Sequence, residues 1–268
     1  MNFEEYLAID AVNWSTLKAM RQSPLAYKAA VESPRQDRDA FRLGRATHCS
    51  VFEPLEFVTR YRIWSGERRA GKVWEAFRDE CEAEHVTPLT RDQWQRAQTM
   101  ADAVRGCPLV APMLADGLAE HVVTWTDEKT GIACKGRLDW LAPGLVLDLK
   151  TARNATNPRA FAAAAWSMGY FHQMAWYARG AGVERARIVA VEPEPPHDVA
   201  VYELHEDGMH LADTELDALL DKVKVCRETN VFPGALASVI DLNPPRYAWP
   251  DAENLDVYEP AWAEGAGL

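Results

Sequence analysis

Two carboxylates and a lysine, Asp139, Asp148 and Lys150, fall within Gly136-Arg137-Leu138-Asp139-Trp140 and Val146-Leu147-Asp148-Leu149-Lys150-Thr151. That trio is what a metal-dependent phosphodiesterase requires. Magnesium or manganese takes hard oxygen ligands, polarises a phosphoryl oxygen and activates water, so Asp139 and Asp148 are candidate ligands. Lys150 is the candidate for orienting the attacking water and offsetting charge on the phosphate. The two segments read as one β-hairpin closed by a short turn. Its period of two puts Asp148 and Lys150 on one face and Leu147 and Leu149 in the core, which predicts charge presented at one edge of a buried sheet. Alone, an Asp-x-Lys step reads first as a same-face ion pair worth about 0–1 kcal/mol.

Further polar residues stand on the elements around this hairpin. Residues 158–180 read as a helix, with Asn157 as N-cap, Pro158 in the first turn, alanines at 162–165 and Gly180 as the stop. Gln173 and Tyr177, four apart, share a face of it, directed either into a phosphate-binding cleft or along a partly exposed edge. Upstream, Phe41-Arg42-Leu43-Gly44-Arg45-Ala46-Thr47-His48 combines small residues for close helix packing with an imidazole, which is either a nitrogen ligand beside the carboxylates or a packed side chain. Glu120 begins a strand over 120–126 and enters the same sheet beside Asp139.

Periodicity predicts helices near 14–31, 38–52, 70–85 and 91–105, strands near 120–126, 132–140 and 145–151, then the helix over 158–180. Strands near 186–192 and 198–204 and a helix near 209–227 complete an α/β arrangement with a mixed central sheet. The 268 residues, 48% of them hydrophobic, suffice for one large core, and no linker or repeat divides the chain. The start lacks the basic and apolar regions of a signal peptide and no apolar run reaches membrane-spanning length, so a soluble cytoplasmic protein is expected. Five cysteines, at 49, 81, 107, 134 and 226, are scattered and odd in number, which points to reduced thiols and no iron-sulfur cluster.

A net charge of −11 sits uneasily with a nucleic-acid partner, because phosphate affinity comes from cations. Distribution reconciles the two: Arg42, Arg45, Lys135, Arg137, Lys150, Arg153 and Arg159 gather in sequence about the hairpin, whereas acid is rich in 75–84 and 203–221. Arg45, Lys135, Arg137 and Arg153 are the candidate DNA contacts. A basic channel in an acidic body focuses DNA to one place; the alternative is a solvated face.

The order His48, Glu120, Gly136-x-x-Asp139, Asp148-x-Lys150, Gln173-x-x-x-Tyr177 resembles the RecB-type branch of the PD-(D/E)xK nuclease superfamily. Within it the chain is most similar to the phage-type exonuclease VIII (RecE nuclease domain) family, over nearly its whole length. Asn13-Trp14-Ser15-x-Leu17 and Ser23-Pro24-x-x-Tyr27 resemble that family's opening signature, Gly44-x-Ala46-x-His48 with Glu53-Pro54 its histidine motif, and Gly169-Tyr170 with Gln173 its helical motif. His172 and Met174 depart from the common pattern without touching a ligand position.

The resemblance implies a PD-(D/E)xK restriction-endonuclease-like α/β core and a single nuclease domain. Its helical N-terminal part covers about 1–115, the catalytic core about 116–228 and an irregular tail about 229–268. It carries over His48, Asp139, Asp148 and the Leu149 carbonyl as metal ligands, Lys150 as the catalytic lysine, Gln173 and Tyr177 as supports, and Glu120 least firmly. It further implies a Mg2+-dependent exonuclease, with Mn2+ substituting and no ATP. It also implies that double-stranded DNA ends are resected in phage-type recombination with 5′ to 3′ polarity, beside a single-strand annealing protein. Related recombination exonucleases are toroids, which suggests a ring of three or four subunits that encircles DNA and stays bound as salt screens its phosphate contacts. The alternatives are an endonuclease or other RecB-like nuclease of the same fold, or a catalytically silent DNA-binding protein.

Overall fold

The computed structural model describes residues 1, 3–33 and 39–235. In chain order the helices α1 (Phe3–Ala8) and α2 (Trp14–Leu17), a 3₁₀ turn (Lys18–Arg21), α3 (Pro24–Glu32), α4 (Asp39–Phe52) and α5 (Pro54–Arg60) come first. Then follow β1 (Tyr61–Trp64), α6 (Lys72–Ala83), β2 (Thr87–Thr90), α7 (Arg91–Gly106), β3 (Leu118–Thr126), β4 (Ala133–Ala142) and β5 (Leu145–Thr151). The chain continues through α8 (Pro158–Ser167), α9 (Tyr170–Ala181), β6 (Arg185–Val191), β7 (Val199–Glu203) and α10 (Glu206–Thr229). Among the described residues no helix is long and apolar enough to cross a membrane.

Strands β3 to β7 form one sheet in that order, antiparallel except for the parallel pair β5 and β6. The mixed α/β architecture read from the sequence is therefore present, but β5 is the central strand, so the charged hairpin does not lie at a sheet edge. Burial on both faces explains its near-continuous apolar run. Leu147 and Leu149 pack with Val51, Met100 and Val189 toward α4 and α7. Val146 packs with Phe161, Met174 and Ile188 toward α8 and α9.

Two predicted helices differ in detail. The stretch 14–31 is broken into α2, the turn and α3, because Ser23 caps a new helix by accepting from the Ala26 amide at 3.0 Å and Pro24 occupies its first turn. The helix over 158–180 is capped by Asn157 as expected. It breaks at Gly169, which takes the left-handed conformation (φ 76°) and starts α9, and the stop is Gly182 (φ 65°) rather than Gly180. The pair of parallel strands β1 and β2 and the helices α1 and α5 lie outside the predicted set; each spans only 4 to 7 residues, too short for a period to register. Of the predicted irregular end, residues from 236 onward lie outside those described.

Candidate active site

The hairpin ladder between β4 and β5 runs only from Ala142 and Leu145 to Trp140 and Leu147. Beyond that pair the strands splay, and Asp139 and Asp148 are the first residues past it. The carboxylate of Asp139 fills the gap by accepting the Leu149 amide at Oδ2, 3.0 Å away. Strand β3 is disturbed at the same level. Ala119 pairs with Trp140 and His121 with Leu138, so Glu120 falls opposite Asp139, yet its φ of 49° takes it out of the ladder. A left-handed non-glycine residue costs of the order of 1–3 kcal/mol and is held only where its surroundings impose it. Three acidic residues thus meet where the sheet opens.

Side chains from both faces converge on that opening. From α4, His48 Nδ1 lies 3.1 Å from Asp139 Oδ2. From α9, Gln173 donates through Nε2 to Asp148 Oδ1 (2.9 Å) and to the Tyr177 hydroxyl (3.1 Å), while its Oε1 accepts from Lys150 Nζ at 3.0 Å. Lys150 is also 2.5 Å from Asp148 Oδ2 and stands over the Tyr170 ring, 4.7 Å from its centroid. Gly136 lets Tyr177 approach: a Cβ there would lie 3.1 Å from the ring. The face shared by Gln173 and Tyr177 is directed toward Asp148 and Lys150.

The charge balance is uneven. Burial pushes the Asp148 carboxyl up to about 6, with Asp139 adding to the push and Lys150 opposing it. Burial raises Asp139 too, but His48, Lys150 and the Leu149 amide outweigh it and leave that carboxyl below its usual range. Burial acts against the charged forms of His48 and Lys150, yet Asp139 for the first and Asp148 for the second raise both above their ordinary values. Burial and Asp139 raise Glu120 to about 7 against its ion pair with Arg137 at 2.9 Å. Pairs of acids whose affinities for protons are driven apart in a cleft mark a site built for charge chemistry.

A divalent cation fits this donor set. Asp139 and Asp148 offer hard carboxylate oxygens at the opening, and the crowding that resists ionisation of Asp148 and Glu120 is what a cation relieves. Among the described residues, however, no three such side chains are already gathered as a metal-binding group. His48 and Lys150 instead hold Asp139 and Asp148 as ion pairs.

A cleft of about 870 Å³ opens on the His48 and Asp139 side, with Glu120, Arg137, Arg45 and Tyr177 in its walls. The bidentate pair of Arg60 and Glu53 (2.6 and 2.8 Å) lines the far wall. Phe3 and Tyr6 of α1 supply a wall that the sequence reading missed, because α1 is a single short turn without a period. Of the expected DNA contacts, Arg45 and Arg137 line the cleft, the latter also 4.9 Å from the Phe3 ring centroid, and Arg153 is exposed beyond β5. Lys135 is not available for DNA. It is 3% exposed, and its ammonium donates to the carbonyls of Tyr6 (2.9 Å), Leu7 (3.2 Å) and Ile9 (2.6 Å), anchoring the end of α1.

The profile of a family described as a PDDEXK-like domain of unknown function (DUF3799) matches residues 13–240. No curated protein matches the sequence. Among solved structures, a protein from Eubacterium rectale, provisionally described as an exonuclease, aligns over 100% of this chain and 99% of its own, with a TM-score of 0.58 at 14% identity. The alkaline exonuclease LHK-Exo from Laribacter hongkongensis aligns over 71% of this chain and 93% of its own, with a TM-score of 0.36 at 13% identity. The first likeness is one of fold.

Proposed function

The chain belongs to the PDDEXK-like family DUF3799, and from that premise we propose that this nuclease is a Mg2+-dependent exonuclease acting on the ends of double-stranded DNA. The observation that carries the proposal is the meeting of Asp139, Asp148 and Lys150 where β4 and β5 splay, with Gln173 tying Asp148 to Lys150. His48, Asp139, Asp148 and the Leu149 carbonyl would hold the cation. When bound it supplies polarisation of the phosphoryl oxygen and a more acidic water. Manganese would substitute, since the donors are hard oxygens and one imidazole.

The protein's own groups supply the rest. Lys150 keeps its proton at neutral pH and, being mostly buried, offsets charge developing on the phosphate without waiting for solvent to reorganise. Gln173 fixes the direction of both Lys150 and Asp148, and Tyr177 holds Gln173. Arg45 and Arg137 place DNA backbone in the cleft. Polarity from 5′ to 3′, a role in phage-type recombination, a single-strand annealing partner and a ring of three or four subunits belong to the proposal on the resemblance alone.

The test offers linear, nicked and closed circular duplex DNA with magnesium, labelled at either end. Loss of label from one end of the linear substrate, with closed circles left intact, supports an exonuclease. Linearised circles would make it an endonuclease of the same fold. No cleavage of any form with magnesium or manganese would leave a DNA-binding protein.

A further inference from the structure

Lys18 projects from a turn packed on the start of α9 and has no role in the site described above. It opens the 3₁₀ turn that follows α2, one helical turn beyond Trp14. Trp14 fixes where that turn lies. Its ring stacks on His172, centroids 5.4 Å apart and planes 7° apart, and sits so close over Gly169 that a Cβ there would come within 2.6 Å. Arg21, at the other end of the turn, reaches the same glycine, with Nη1 3.3 Å from that Cβ position. The turn is thereby clamped across the start of α9, the helix whose Tyr170 and Gln173 hold Lys150.

Lys18 is exposed, and among the described residues no carboxylate pairs with it. Partial burial of its surroundings, and then the charge of Lys150, hold its ammonium below the ordinary lysine range. Asp148 is committed to Lys150. Among the described residues Lys18 is therefore a cation without a carboxylate of its own, on a turn rigidly mounted at the start of α9, which adds its own partial positive charge. Like charges held together cost stability unless an anion completes them. We propose that Lys18 binds a backbone phosphate of the DNA strand beside the one that reacts, on the Lys150 side of the centre and away from the cleft lined by His48 and Glu120. A compact ammonium on a flexible stem suits a phosphate, which every sequence presents, rather than a base edge. The inference rests on the nuclease reading.

Anisotropy of a short end-labelled duplex, followed over a salt series, tests it in the Asp148→Asn background, where the DNA is not consumed. Lys18 is kept or replaced by Ala, Glu or Arg. Loss of one phosphate contact lowers the slope of log affinity against log salt by about 0.9 for a duplex. The expected result is that slope change for Lys18→Ala, with weaker binding by a similar factor on unrelated sequences, a larger loss for Lys18→Glu, recovery by Lys18→Arg, and unaltered thermal melting. Unchanged affinity and slope in Lys18→Ala overturn the proposal. So does weaker binding with an unchanged slope and a lowered melting temperature, which makes Lys18 a structural residue. If the protein with Lys18 intact binds no DNA at any salt, the nuclease reading itself fails, an outcome distinct from either.

Discussion

The side-chain amide of Gln173 is held against Asp148 in one orientation, with Nε2 donating to Oδ1 at 2.9 Å. Reversing the amide would turn its oxygen onto a carboxylate and its NH2 onto the Lys150 ammonium, which now donates to Oε1. The direction of the amide therefore follows from chemistry. Removing a group that orients a metal ligand costs activity by about 10–100-fold, and Gln173→Ala is expected to lower turnover on linear duplex by that factor while the protein still binds DNA. Gln173→Glu, which adds a carboxylate beside Asp148, is expected to be at least as damaging. Wild-type turnover in both variants would remove Gln173 from the site.

Asp148 and Lys150 share a strand face and an ion pair, yet their substitutions should separate. Asp148→Asn removes a charge without bulk, and is expected to abolish cleavage and magnesium binding by calorimetry while DNA binding stays or tightens. Lys150→Ala is expected to lower turnover by about 100-fold or more, the usual cost of deleting one preorganised electrostatic group, with magnesium still bound. If Lys150→Ala lost metal and rate together, the lysine would serve only to hold Asp148.

His48 lies 3.1 Å from Asp139, and either a ligand or an orienting partner is compatible with that contact. As a ligand, its loss raises the magnesium concentration needed for half-maximal cleavage and weakens calorimetric metal affinity. His48→Ala is expected to do both, with the rate recovering toward wild type at high magnesium. An unchanged magnesium dependence would reduce His48 to a packed side chain.

Lys135 separates a structural cation from a DNA-binding one. Its three carbonyl partners belong to Tyr6, Leu7 and Ile9, the end of α1 and the residues after it. Hydrogen bonds to charged groups are worth about 1.5–3 kcal/mol each and leave orphaned acceptors when broken. Lys135→Met is expected to lower unfolding free energy in denaturant titrations by at least that amount. The salt slope of DNA binding should stay as in wild type. A reduced slope with undiminished stability would restore Lys135 as a phosphate contact.

How far the sequence reaches is clearest in these same residues. Asp148, Lys150, Gln173 and Tyr177 are legible because periods of two and of four act over a few residues and need no knowledge of the partner element. Glu120 opposite Asp139 is legible as a neighbour in the sheet, but its positive φ is not, since Glu has no preference for that conformation. The break at Gly169 hides inside an apolar run of helical period, at a residue whose missing Cβ leaves room for Trp14 from far upstream. Lys135 misleads for a related reason. Its basic neighbours in sequence suggest DNA, whereas its partners lie at the other end of the chain and come together with it only in the fold.

His172 gives a pH dependence that can be read apart from the catalytic centre. Its ring has no exposed side-chain surface, lying against Trp14 and Trp166, with centroids 5.4 and 5.1 Å away. Nε2 meets Glu215 Oε2 at 2.7 Å, and Nδ1 is buried with no hydrogen-bond partner. A second proton would have to go to that buried nitrogen. Burial accordingly holds the imidazole below its ordinary 6.5, against the pull of Glu215. The unfolded chain then takes up the proton before the folded one does. Stability from this residue is complete above the unfolded value, and it is lost as pH falls from about 6.5 through the folded value. His48, whose folded value is raised, works in the opposite sense, so the comparison must be between variants. His172→Phe keeps the stacking and removes the titration. In denaturant titrations from neutral pH down to about pH 5, wild type is expected to lose more stability than His172→Phe. Equal losses would mean that the ring takes its proton as readily when folded as when unfolded.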